Sequence, residues 1–167
     1  MRDLYLVRHA VAERRDPERW PDDSLRPLTL DGIERFRAVA RGLRQIGVEV
    51  DAVLASPYAR AWSTAEILRE EAAWPSPEKC PALEPPSPLS TLADTVRAGA
   101  DAELALVGHQ PQLSELAALL LAGSERSIRL ELKKGGVLCL RFADPLEPGA
   151  VALRWSASPK ILRSLGH

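Results

Sequence analysis

Leu104-Ala105-Leu106-Val107 is the stretch that most narrows what this chain can fold into. Its four residues are apolar without alternation, so a strand made from them needs cover on both faces, the mark of a central parallel strand. Leu4-Tyr5-Leu6-Val7 is strand-forming and mostly apolar, and Ala52-Val53-Leu54-Ala55 reads as a short buried strand. Parallel strands require crossover connections, usually helical. The expected fold is therefore α/β: three layers, α/β/α, around a mostly parallel central sheet of about five to six strands.

The crossovers are legible. Thr29 to Ile46 predicts the first helix. Thr29 serves as N-cap, and Asp31 suits the positive end of the dipole. Ile33, Phe36, Ala40 and Leu43 make the apolar face, while Arg35, Arg37, Arg41 and Arg44 form a solvated one. Gly47 offers a left-handed stop. After the strand at 52–55, Ser56 as cap and Pro57 at the first helical position predict a helix start, with Arg60 in its opening turn. Thr91 to Gly99 predicts a short helix with Leu92 and Val96 inward, and Pro111 to Ala122 a more apolar one ending at Gly123. Two later strands, about 136–142 and 151–156, are joined by a Pro/Gly turn, and 158–167 reads as a short amphipathic end. The proline-rich stretch from Trp74 to Pro88 reads as a crossing loop. Neither flank can make a full domain, so residues 1–167 are expected to form one.

Charge restricts the partners. The 22 Lys and Arg nearly cancel the 23 Asp and Glu, so no general basic field draws this chain to nucleic acid or a membrane surface. No apolar run approaches the ~20 residues that span a bilayer. The first strand starts too early to leave room for a signal peptide, and Cys80 and Cys139 read as ordinary reduced thiols. These readings give a cytoplasmic protein as the expectation.

Ligands of open α/β sheets bind outside the carboxyl ends of the strands. Three strand ends here carry chemistry: Arg8-His9, Ser56 to Arg60, and Gly108-His109. A cation and an imidazole at a strand end suit an anion site holding a nucleophile or base; the plainer reading is a polar cap on a buried strand. A helix start beside Arg60 also suits an anion. The loop from Ala10 to Leu28 is longer than most connections, and its Arg14, Arg15, Arg19 and Arg26 face either an anionic substrate or solvent. Trp20 reads as a local packing anchor. Glu84 is either an ordinary exposed acid or a proton donor held over the sheet. Only His9 and His109 are placed as metal ligands, beside arginines, whereas zinc wants three or four ligands. No metal and no cofactor is expected.

These motifs, in this order, resemble the histidine phosphatase superfamily of phosphoglycerate mutases and acid phosphatases. Leu6-Val7-Arg8-His9 is similar to its opening signature, with Ala10 in place of the usual glycine. Arg26-Pro27-Leu28-Thr29-Leu30-Asp31-Gly32 resembles its Leu-Thr-x-x-Gly helix start. Ser56-Pro57-Tyr58-Ala59-Arg60-Ala61, with Thr64-Ala65 after it, resembles Ser-Pro-x-x-Arg-Ala ahead of Thr-Ala, and Gly108-His109 its second histidine. The short length, the Arg-Pro-Leu-Thr run and the late Ser158-Pro159-Lys160-Ile161-Leu162 segment are most similar to the short SixA-type phosphohistidine phosphatases.

The resemblance implies a phosphoglycerate mutase-like fold and phosphoryl transfer through a phosphohistidine. His9 would be the nucleophile, Arg8, Arg60 and His109 the phosphate cradle with Arg26 as a further contact, and Glu84 the acid. The implied substrate is a phosphorylated protein, such as a phosphohistidine-bearing phosphotransfer domain. Two other readings stay open: a phosphatase acting on small phosphate esters, and a phosphoprotein-binding module without turnover.

Overall fold

The computed structural model describes residues 1–100 and 102–167. Among these described residues, six strands form one sheet: β1 (Arg2–Arg8), β2 (Ala52–Ala55), β3 (Glu78–Lys79), β4 (Leu104–Gly108), β5 (Val137–Phe142) and β6 (Ala152–Ala157). Their spatial order is β3-β2-β4-β1-β5-β6. The first four neighbours pair in parallel, while β5 runs antiparallel to both β1 and β6. The expected mostly parallel sheet is thus what forms, with an antiparallel addition on one side.

Five helices cover it: α1 (Leu30–Gln45), α2 (Ala59–Ala72), α3 (Leu89–Ala98), α4 (Gln112–Ala122) and α5 (Pro159–Leu165). Alternate strand residues sort the core into two layers. Tyr5, Val7, Val53, Ala55, Ala105 and Val107 pack with Phe36, Leu43, Leu68 and Leu162 of α1, α2 and α5. Leu4, Leu6, Leu104 and Leu106 pack on the opposite face with Leu92, Val96, Leu113 and Leu116 of α3 and α4. The unbroken apolar character of β4 is therefore used on both faces, and all five of its residues are buried.

This layering positions the site. The chain leaves β1 through α1 on one face and leaves the adjacent β4 through α4 on the other, so a switch point lies between those two strand ends. Register brings the ends level. Arg8 pairs with Gly108, and Ala55 with Val107. His9 then donates its N–H to Gly108 O at 3.0 Å, and Ser56 donates its N–H to Val107 O at 3.0 Å.

Some local expectations shift. Thr29 caps α1 as predicted, its side chain accepting from Gly32 N at 2.9 Å, and Gly47 takes its left-handed φ of 73°. The helix carrying Arg60 begins later than predicted: Tyr58, not Ser56, is the N-cap, and Pro57 lies outside the helix. Ser56 is instead committed to the sheet ladder and to His109. Helix α3 starts at Leu89 on Pro88, ahead of the predicted Thr91. The proline-rich crossing loop contains the two-residue edge strand β3, which pairs with Leu54 and Ala55. The Ser158-Pro159 segment caps α5, whose Leu162 backbone oxygen lies so close to Gly42 that a Cβ there would come within 2.0 Å. That segment closes the fold rather than contributing to the strand-end site. Among the described residues, no helix is long and apolar enough to cross a membrane.

Candidate active site

His9 follows β1 in a tight turn and is buried. Its Nδ1 lies 2.7 Å from the carbonyl oxygen of Ala10, which can only accept. The ring proton therefore sits on Nδ1, and Nε2 keeps its lone pair. Burial is the main cause that pushes the His9 pKa down to about 3, the Ala10 bond opposes it, and Arg60, Arg8 and Lys134 add to the fall. A neutral imidazole with a bare Nε2 is the form a nucleophile needs.

The turn is held from outside. Thr64 Oγ1 accepts the N–H of Ala10 at 3.0 Å and donates to the Arg60 carbonyl at 2.7 Å. Gly135 donates its N–H to the carbonyls of both Arg8 and His9 at 3.1 Å. The start of α1 packs so closely on the turn that a Cβ at Gly32 would lie 2.2 Å from Val11 O. Ala10 itself avoids the positive-φ region, so alanine in place of glycine sits there without backbone strain.

Around His9 stand three donors, Arg60 and His109 buried and Arg8 half-buried. Arg8 spends one guanidinium nitrogen on Leu132 O at 3.0 Å. Arg60 spends two on Asp23, with Nη1 donating to the backbone carbonyl at 3.0 Å and Nη2 reaching Oδ2 at 3.1 Å. His109 has its ring centroid 5.2 Å from that of His9 and its Nε2 2.8 Å from Ser56 Oγ. Arg8 Nε, Arg60 Nε and His109 Nδ1 are buried atoms without a partner. Groups of this kind are costly to leave unsatisfied in a protein interior, and an oxyanion is the chemistry that would satisfy all three. Burial is also the leading cause that holds His109 at a pKa of about 3, with the neighbouring His9 next.

Tyr58 completes the wall, lying edge-on to His109 at 5.4 Å and beneath the Arg60 guanidinium at 5.2 Å. Arg26 is present but occupied: its Nε meets Asp23 Oδ1 at 2.9 Å, and it donates to Glu13 O at 2.8 Å. It braces the loop that braces Arg60. Arg14, Arg15 and Arg19 are exposed.

The structure does not join Glu84 to this cluster by contact. It is half-buried at the end of the turn Pro81–Leu83, and among the described residues its carboxylate makes no hydrogen bond or ion pair. The preceding Leu83 packs 3.2 Å from the Cβ position of Gly108, which brings the segment to the end of β4. Gln112 pins it there, donating from Nε2 to Ala82 O at 2.9 Å and to Ser87 O at 3.3 Å. Among the described residues, no group of three or more His, Cys, Asp or Glu is placed to hold a metal ion.

Two site residues escape a sequence reading. Asp23 is one of several loop acids, and its spacing to Arg26 is the sole hint of its task. Ser56 carried a misleading signal, because Ser-Pro is also how helices start.

The chain is similar to known proteins over much of its length. The family model of the histidine phosphatase superfamily (branch 1) matches residues 4–84. An uncharacterized protein of Picosynechococcus sp. is 38% identical over 142 residues, 83% of this chain and 84% of its own. The phosphohistidine phosphatase SixA of Escherichia coli is 32% identical over 105 residues, which cover 60% of this chain and 65% of that protein. A structure of the protein histidine phosphatase SixA complexed with tungstate superposes with a TM-score of 0.83 at 26% identity, covering 96% of this chain and 99% of the other. With His9, Arg8, Arg60 and His109 assembled at one switch point, the chain matches the histidine phosphatase superfamily in sequence over residues 4–84 and a SixA structure in fold along nearly its whole length.

Proposed function

We propose that this protein is a phosphohistidine phosphatase of SixA type, acting on a phosphorylated side chain of another protein. One observation carries the reading: a neutral His9, oriented by its own turn with Nε2 bare, stands among three buried donor nitrogens that lack partners. Binding phosphate alone would be served by the arginines; the bare nitrogen is what chemistry requires.

His9 Nε2 attacks phosphorus in line. A bond forms from Nε2 to phosphorus while the bond from phosphorus to the substrate's imidazole nitrogen breaks, and the departing ring takes its proton from solvent water. Water then attacks the phosphohistidine, releasing inorganic phosphate and restoring His9. The transferring group spreads charge over its equatorial oxygens, so the work is positioning and electrostatic support. Arg8 and Arg60 offer permanently charged donors, and His109 a third. For an oxygen leaving group, a proton must be supplied, and Glu84 at the end of β4 is the candidate. A phosphoramidate has less need of that acid, so Glu84 should matter less for nitrogen-bound phosphate than for sugar esters. The likeness to SixA along nearly the full chain supports the same substrate class.

Intact-mass spectrometry after an acid-free quench with phosphoramidate tests the intermediate. Wild type should carry one phosphate adduct and His9→Ala none, with turnover lost. A His9→Ala variant within about tenfold of wild type would refute the nucleophile, since even one electrostatic donor is worth roughly 100–1000-fold. Bound phosphate with neither adduct nor release would identify a binding module. Higher kcat/KM on sugar phosphates than on a phosphohistidine protein would reassign the substrate.

A further inference from the structure

We infer that Ser56 is a positioning residue: its hydroxyl fixes the tautomer of His109, so that the ring presents an N–H from Nδ1 to the phosphoryl group. The inference rests on the phosphate-site reading above and deepens it. Nothing in the Ser-Pro-x-x-Arg pattern requires this role, because a serine there is explained equally by a helix cap, which Ser56 is not.

The argument is an accounting of protons. Ser56 is wholly buried, and its Oγ has two neighbours among the described residues: Tyr58 N at 3.3 Å and His109 Nε2 at 2.8 Å. The Tyr58 amide can only donate, so it takes up acceptor capacity on Oγ. The serine's own proton then has one place to go, the lone pair of His109 Nε2. A bare Nε2 puts the ring proton on Nδ1, the buried atom of His109 that has no protein partner. In the opposite tautomer, Nε2–H and Tyr58 N–H would both donate into Oγ, and the serine proton would be stranded in the interior. Leaving a buried donor unmade is the costly outcome.

His9 and His109 thereby carry their protons on the same ring nitrogen for opposite ends. In His9 the Nδ1–H is consumed by Ala10 O, and the lone pair is free. In His109 the Nε2 lone pair is consumed by Ser56, and the proton is free. Because burial keeps His109 neutral, its donor ability depends on which nitrogen holds the single proton.

Histidine-ring ¹⁵N NMR on the full chain at pH 7 reads the tautomers directly. Wild type should show His109 protonated at Nδ1 and bare at Nε2. Ser56→Ala should mix the tautomers, while Ser56→Thr, which keeps the hydroxyl, should restore the wild-type pattern. Titration with inorganic phosphate should move the Nδ1–H resonance of His109 in wild type, and Ser56→Ala should bind phosphate more weakly by the reciprocal of the fraction left in the Nδ1–H form, about twofold for an even mixture. A folded wild type with the proton on Nε2 would overturn the inference, as would a Ser56→Ala variant that retains the Nδ1–H form and full phosphate affinity. The tautomer is measured without turnover. A protein with the expected His109 ring but no phosphatase activity would therefore refute the enzyme reading and leave this one standing.

Discussion

Acid should weaken this protein well before any carboxylate titrates. His9 and His109 are both neutral in the fold, with pKa values pushed down to about 3. An unfolded histidine titrates near 6.5. Above that value neither state binds the proton, and the burial costs nothing. Below it the unfolded chain takes up protons that the fold refuses, so stability falls with pH until the folded values are reached. Between pH 7 and pH 5, each histidine should remove ~2 kcal/mol, about 4 kcal/mol for the pair. The figure depends on the unfolded pKa alone, because both folded values lie well below the window. Against a typical stability of roughly 5–15 kcal/mol, that is a large share. Asp3 and Asp23 also have lowered pKa values, Asp3 through Arg141 and Arg154 against its burial and Asp23 chiefly through Arg26, but their losses begin only as carboxylates protonate, below this window. The assay is urea unfolding at pH 7, 6 and 5 in a phosphate-free buffer, for wild type and for His9→Gln, His109→Gln and the double variant. Each single variant should remove about half of the pH dependence, and the double variant nearly all. A wild type equally stable at pH 7 and pH 5 would refute neutral burial of the pair. So would a double variant with an undiminished slope.

Two further outcomes follow from the geometry. Asp23→Asn removes the charge that meets both Arg60 and Arg26; kcat/KM on a phosphoramidate should fall about tenfold, the scale of one hydrogen bond to a charged group. Unchanged or faster turnover would mean that Asp23 damps Arg60 rather than placing it. Gly32→Ala gains up to ~1 kcal/mol in helix propensity but drives a Cβ to 2.2 Å from Val11 O and 2.9 Å from Thr29 Oγ1, a backbone clash at the upper end of the roughly 1–3 kcal/mol that overpacking costs, so the net loss should be about 2 kcal/mol. A thermal midpoint at or above wild type would contradict this.

What could be read from the sequence was whatever one strand or one helix specifies by itself. The apolar runs ending in Arg8-His9 and Gly108-His109 announce both strands and their chemistry, since burial on two faces and a polar terminus are local properties. The pairing that sets them level, Arg8 against Gly108, depends on the whole sheet. Asp23 was invisible because its partner Arg60 lies 37 residues away and the loop between β1 and α1 has no periodicity to orient it. Ser56 was misplaced because Ser-Pro fits a helix start as well as a strand exit, and only the ladder bond to Val107 decides between them. Glu84 stands out in the sequence only by interrupting a proline-rich stretch, and the placing of its segment depends on Gln112, which no local pattern marks.

Thr64 has a consequence for how such a protein can diversify. By joining the Ala10 amide to the Arg60 carbonyl, it ties the strand end that carries His9 and the helix that carries Arg60 into one plate. The exposed stretches at its rim, residues 14–19 and 85–86, are not part of that plate. On the function proposed above, the reacting groups and these exposed stretches are separate pieces of the chain, and exchanging residues 14–19 should leave the Thr64 bonds in place.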